Sequence, residues 1–96
     1  MGKQATITND TDDFRYELRL DGDLAAYAAY VIKDGIIDFN HTVTLEEHRG
    51  RGVATQLLRA ALQDVRARGE YQVRVSCSFC ADFVDKNPEF QDLLAD

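Results

Sequence analysis

The feature that most constrains this chain is a change of hydrophobic period across one glycine-bracketed turn. Before it, Phe14, Tyr16, Leu18 and Leu20 alternate with Arg15, Glu17 and Arg19, the period-two pattern of a half-buried strand. After it, Val53, Leu57, Leu58, Ala61, Leu62 and Val65 recur three and four apart, the spacing of a helix with one apolar stripe. A chain that changes period in this way must bury a sheet face against a helix stripe, which is a layered arrangement of both element types.

The remaining segments extend that reading. Asp21-Gly22-Asp23 supplies turn chemistry, and Leu24 to Ile32 is the returning strand. Lys33-Asp34-Gly35 makes the next turn, after which Ile37, Phe39, His41, Val43 and Leu45 are expected on one face of a third long strand. A piece around Ala5 to Thr8 reads as an edge strand. Gly69 stands where a C-terminal helix cap belongs, and Tyr71, Val73 and Val75 give a fifth strand. A short helix is expected from Phe79, and a final one with Asn87 as cap and Pro88 in its first position. The predicted order is β-β-β-β-α-β-α-α: an α/β (α+β) fold, a mixed, mainly antiparallel sheet flanked by helices. The one crossover helix between strands should be right-handed.

Ninety-six residues suit one domain over positions 1–96, with a small core and little room for insertions. Seventeen acidic against eleven basic side chains leave a net charge of −6, which repels a nucleic-acid backbone at long range. No apolar stretch approaches the roughly 20 residues that span a bilayer, and the start carries no apolar signal region. The expected setting is therefore cytoplasmic, with neither nucleic acid nor membrane as partner. Met1-Gly2-Lys3-Gln4-Ala5-Thr6 formally fits an N-myristoylation pattern, a short pattern that carries little weight. Cys77 and Cys80 are too few for a disulfide framework and point to reduced thiols or local chemistry.

In this acidic chain His48, Arg49 and Arg51 stand close together in the turn from strand to helix. The first amides of a helix lack intrahelical acceptors and sit at the positive end of its dipole, so they attract an anion if the side chains there are small. Gly50, Gly52 and Ala54 allow that approach, and Arg49 and Arg51 add full charges where arginine is otherwise unfavourable. The alternative is a tight turn with solvated arginines. Two other phosphate motifs fit worse, because the P-loop's Lys-Ser/Thr ending is missing and Thr55 occupies the third-glycine position of a dinucleotide fingerprint.

Arg49-Gly50-Arg51-Gly52-Val53-Ala54 resembles the pyrophosphate-loop pattern of GNAT acetyltransferases: Gln or Arg, two residues, Gly, one residue, then Gly or Ala. Asn40-His41-Thr42-Val43 before it, and Ser76-Cys77-Ser78-Phe79 and Asn87-Pro88-Glu89-Phe90-Gln91-Asp92-Leu93 after it, extend the likeness over nearly the whole chain. In that order and spacing they resemble the small GNAT-like N-acetyltransferase family. The resemblance implies transfer of an acetyl group from acetyl-CoA, as cosubstrate, to an amine acceptor it does not identify, with no metal. It further implies that backbone amides of Arg49, Gly50, Arg51, Gly52, Val53, Ala54 and Thr55 hold the coenzyme's pyrophosphate. The pantetheine arm would run beside Val43 to Leu45, and the thioester would lie between splayed strand ends near His41 and Cys77, the catalytic candidates.

Each candidate has a plainer reading. His41 on an apolar face is equally a hydrogen-bonded core residue, although its ordinary pKa suits a general base. Cys77, between strand and helix, is either a small buried hydrophobe, an acyl acceptor, or a proton donor to the departing thiolate. Cys80 reads as packing and His48 as a surface side chain. Tyr27, Tyr30 and Tyr71 read as sheet and core packing. Val84 falls where many larger GNAT enzymes carry a tyrosine acid, which leaves a non-catalytic coenzyme-binding or protein-interaction module as the alternative function. Cys77-Ser78-Phe79-Cys80 also fits a thiol–disulfide motif, but a thioredoxin-like unit would have further strands downstream. His41 and His48 lie outside any closed zinc spacing with the cysteines.

Overall fold

The structure is a computed structural model that describes residues 4–95. Gly2, the acceptor position of the lipidation pattern, lies outside the described residues. Four strands follow one another as a meander: β1 (Ala5–Asp10), β2 (Arg15–Leu20), β3 (Asp23–Lys33) and β4 (Ile36–Thr44). A 3-10 turn, Glu46–His48, leads into the helix α1 (Val53–Arg68), then β5 (Gln72–Val75), the helix α2 (Ser78–Lys86) and a 3-10 segment, Pro88–Leu93. The strands form one sheet in the order β1-β2-β3-β4-β5, antiparallel throughout except for the parallel β4–β5 pair. The expected element order is therefore present, with the final helix wound as a 3-10 segment. Asn87 does not cap it through its side chain. Its amide nitrogen instead donates to the Phe83 carbonyl, 2.7 Å away, and closes the end of α2.

One face of the sheet carries the core. Register and alternation put Tyr16, Leu18, Ala26, Ala28, Tyr30 and Phe39 on it, all buried, and α1 covers them with Leu57, Leu58, Ala61, Leu62 and Val65. Tyr16, Tyr30 and Phe39 pack ring against ring with centroids 5.7 to 6.0 Å apart. Buried phenols need partners: Tyr16 donates to the Asp64 carboxylate on α1 at 2.7 Å, and Tyr30 to Asn9 on β1 at 2.6 Å. Gly69 ends α1 in the left-handed conformation, φ 64°, its N–H returning to the Val65 carbonyl.

The expectation that His41 shares a face with Ile37 and Phe39 is wrong. Tyr30 opposes Phe39 and Ala29 opposes His41, so Asn40 is an extra residue, a β-bulge in β4. A bulge inverts the face assignment of everything beyond it. Thr42 and Thr44 thereby join the helix-covered face, whereas His41 and Val43 lie on the other face, with His41 exposed.

The sheet edges differ in how they end. The backbone beyond the last 3-10 segment runs beside β5, where Leu94 bridges Val73 and the Ala95 N–H donates to the Val73 carbonyl at 2.8 Å. This covers part of an edge that would otherwise present free backbone groups. Arg66 bonds the Asp92 carboxylate at 2.8 and 2.9 Å, and Arg59 reaches Asn87 and Glu89, so the C-terminal segment is stitched to α1. Among the described residues no helix is long and apolar enough to cross a membrane.

Candidate functional site

The parallel β4–β5 pairing stops at Phe39 and Val75, although β4 continues to Thr44. The Phe39 carbonyl takes both the Ser76 and the Cys77 N–H at 3.1 Å, while Asp38 accepts from the Ser76 hydroxyl at 2.7 Å and from its N–H at 3.1 Å. These bonds turn the chain away from β4 and into α2. Beyond Phe39, no described strand pairs with β4 on that side, so a wedge opens between β4 and the start of α2.

At the far end of β4 lies a cleft of about 210 Å³. Its walls are Thr44 from β4, His48, Arg49, Gly50 and Gly52 from the turn, Val53, Ala54 and Thr55 from α1, and Phe79 from α2. The turn folds this way because Gly50 and Gly52 take φ of 80° and 70°, values L side chains rarely adopt. A Cβ on either glycine would meet nothing within 4 Å, so the space before the helix is open. The first intrahelical bond of α1 runs from the Gln56 N–H to the Gly52 carbonyl, 3.1 Å, which leaves the amides of Val53, Ala54 and Thr55 without intrahelical acceptors. Helices usually satisfy such amides with a Ser, Thr, Asp or Asn cap and favour acids in the first turn. Here the cap is Gly52 and the first turn has no acid.

Positive charge is similarly free. Arg15, Arg19, Arg59, Arg66 and Arg68 all form ion pairs, but among the described residues Arg49 and Arg51 form none. His48 is not on the surface as expected from its sequence position. It is 5% exposed, and its Nδ1 has no hydrogen-bond partner among the described residues. An orphaned buried ring nitrogen costs roughly 1–3 kcal/mol unless a ligand engages it. Phe79, 41% exposed, adds an apolar wall beside these polar groups. Sequence reasoning missed both residues as cleft walls. The only signal for His48 was its place beside Arg49, and burial is not a property of spacing.

Of the residues singled out in sequence, Arg49, Gly50, Gly52, Val53, Ala54 and Thr55 line this cleft together, whereas Arg51, Val43 and Leu45 do not. His41 and Cys77 lie outside its walls. Cys77 is half-buried at the N-cap of α2, and its sulfur approaches the Thr42 hydroxyl at 3.7 Å. Burial pushes this thiol's pKa upward, but the backbone amides of Cys80 and Phe79 and the Thr42 hydroxyl more than offset it and leave it below the ordinary thiol value. Thr42, not His41, is the β4 side chain that touches Cys77. Val84 is 3% exposed in the core. Among the described residues no group of three or more His, Cys, Asp or Glu could hold a metal ion.

A sheet that splays beside a glycine-bracketed helix start, with its first amides lacking intrahelical acceptors, defines a mixed fold with an anion site at the helix N-terminus. The chain belongs to the GCN5-related N-acetyltransferase family, whose sequence pattern matches residues 15–93. Among its relatives, Protein NATD1 of Bos taurus is 31% identical over 84 residues, which cover 85% of this chain and 74% of that protein. Protein NATD1 of Mus musculus is 28% identical over 89 residues, 91% and 80% of the two chains. The fold is similar to that of a GCN5-like protein of Staphylococcus aureus solved by NMR, with a TM-score of 0.70 over 94% of this chain and 87% of that one. At 24% identity that likeness concerns the fold.

Proposed function

We propose that this chain transfers an acetyl group from acetyl-CoA to an amine, with the turn Arg49 to Gly52 and the first turn of α1 holding the coenzyme's pyrophosphate. The observation that carries this reading is the combination in one cleft of three helix amides without intrahelical acceptors, a glycine cap with open space before it, and an Arg49 that forms no ion pair among the described residues. Phosphate oxygens satisfy both the helix amides and the guanidinium at once. Bound there, the coenzyme supplies an activated acetyl thioester.

The chain's own residues then orient and exchange protons. The stretch of β4 from Asn40 to Thr44 has lost its β5 partner, so its backbone groups are available to the amide groups of the pantetheine arm beside Val43 to Leu45. That arm leads toward Cys77. The Cys77 thiol, whose conjugate thiolate the start of α2 favours, either gives its proton to the departing coenzyme thiolate, or as thiolate attacks the acetyl carbonyl and takes the acetyl group as the C–S bond to the coenzyme breaks and the coenzyme thiolate leaves. His41, exposed on the opposite face of β4 from Thr42, takes the proton of an amine that arrives from that side.

One observation favours a second reading, a coenzyme-binding module without turnover. Val84 sits in the core where larger members carry a tyrosine acid, so no phenol reaches the thioester from that position. Titration calorimetry with acetyl-CoA and desulfo-CoA tests the shared premise. Micromolar binding by the wild type, lost on Arg49→Glu with Gly52→Asp in a folded protein, supports the coenzyme site. No binding of either ligand removes both readings. Turnover with an amine panel, abolished by His41→Ala or Cys77→Ala while binding persists, separates enzyme from module.

A further inference from the structure

We propose that Cys77 and Cys80 form a thiol–disulfide exchange site that a small-molecule disulfide oxidises reversibly. The proposal does not rest on acetyl transfer. Cys77 is the N-cap of α2 and Cys80 is its third helical residue. Residues three apart on a helix have Cα atoms about 5 Å from one another, inside the ~4.4–6.8 Å range of a disulfide. Both sulfurs share one hydroxyl, Thr42 Oγ1, at 3.7 Å from Cys77 and 3.1 Å from Cys80. The two thiols therefore already converge on one hydroxyl.

The two positions differ as an attacking and a resolving thiol must. Cys77 is half-buried and reachable from the wedge, whereas Cys80 is 1% exposed. The amides at the start of α2 favour a thiolate at Cys77, and burial keeps Cys80 protonated, its pKa pushed up to about 12. In the first step the Cys77 thiolate attacks one sulfur of the oxidant, the oxidant's S–S bond breaks, and one small thiolate leaves and takes a proton from water. In the second, Cys80 loses its proton to water and attacks the Cys77 sulfur of the mixed disulfide, expelling the other small thiolate, which takes a proton from water. The two cysteines lose two electrons and two protons, and the small disulfide becomes two thiols. A helix that stabilises the thiolate favours the reduced form, so the bond is readily reversed.

The full chain, in buffers of defined reduced-to-oxidised glutathione ratio, is quenched by alkylation and its intact mass measured. The expected result is joint loss of both alkylation sites with loss of two hydrogens, reversed by excess reduced glutathione. Cys80→Ser should instead accumulate one glutathione on Cys77, and Cys77→Ser should stay unmodified. Alkylation of Cys77 at neutral pH should be faster than that of Cys80 in the folded wild type, and the two rates should converge in urea. Two thiols that stay alkylatable under excess oxidised glutathione, or a disulfide that joins two chains, would overturn the proposal. Coenzyme titration of the same samples reports on acetyl-CoA separately, so either idea can fail alone.

Discussion

At the scale of single residues, the site is distinguished by groups left without their usual partners. His48 illustrates the cost. Replacing it with Leu removes a buried nitrogen that finds no partner among the described residues, so folded stability should rise by about 1 kcal/mol while, on the proposed function, acetyl-CoA affinity falls roughly tenfold because a cleft wall is reshaped. Urea denaturation and titration calorimetry on one preparation check both signs. Unchanged affinity would mean that the ring only packs. Cys80 gives a second prediction. Its raised pKa means that, from the ordinary thiol value of about 8.5 up to about 12, the unfolded chain has released a proton the folded chain still holds. The unfolded state then binds fewer protons, so stability falls as pH rises through that window and is fully present below it. Cys80→Ala should flatten this alkaline decline in denaturation midpoints. A residue-level pattern showed which side chains bear chemistry, but not which are orphaned.

At the scale of elements, α1 carries most of the argument. Its apolar spacing predicted its span, and its two glycine caps serve different ends. Gly69 closes the helix in a left-handed conformation that returns an N–H to Val65, so Gly69→Ala should cost about 1 kcal/mol with coenzyme binding intact. Leu58, 1% exposed against the sheet, should cost about 2–5 kcal/mol when cut to Ala. Thermal and urea unfolding measure both, and a near-neutral Leu58→Ala would contradict the packing described for α1. β4 was harder to foresee. Its first half obeys the alternation seen in sequence, but the bulge at Asn40 moves Thr42 to the helix side and His41 away from it. An alternating pattern cannot show where one extra residue will be accommodated, since the inserted residue is as polar as any turn residue.

At the scale of the whole molecule, the buried side chains form one cluster drawn from β2 to the last 3-10 segment. A core shared by all these elements should melt in one step. Circular dichroism and tyrosine fluorescence are expected to trace the same transition, and two separated midpoints would argue against positions 1–96 acting as one folding unit. The chain carries a net charge of −6, while Arg49 and Arg51 form no ion pair among the described residues. On the proposed function, coenzyme capture would be a local matter of donors in a cleft, not of long-range attraction by the protein as a whole.

Period and turn chemistry alone determined that four strands precede a helix and a fifth strand follows it. They also singled out Arg49 to Thr55 as either an anion loop or a tight turn with solvated arginines, because spacing and residue size act locally and can be read along the chain. Tertiary structure decided what depends on distant residues meeting. It buried His48 without a partner, freed β4 from β5 beyond Phe39, moved His41 to the opposite face, and set Thr42 between two thiols. Each of those outcomes is set by register and packing across the sheet, where a shift of one residue changes every neighbour.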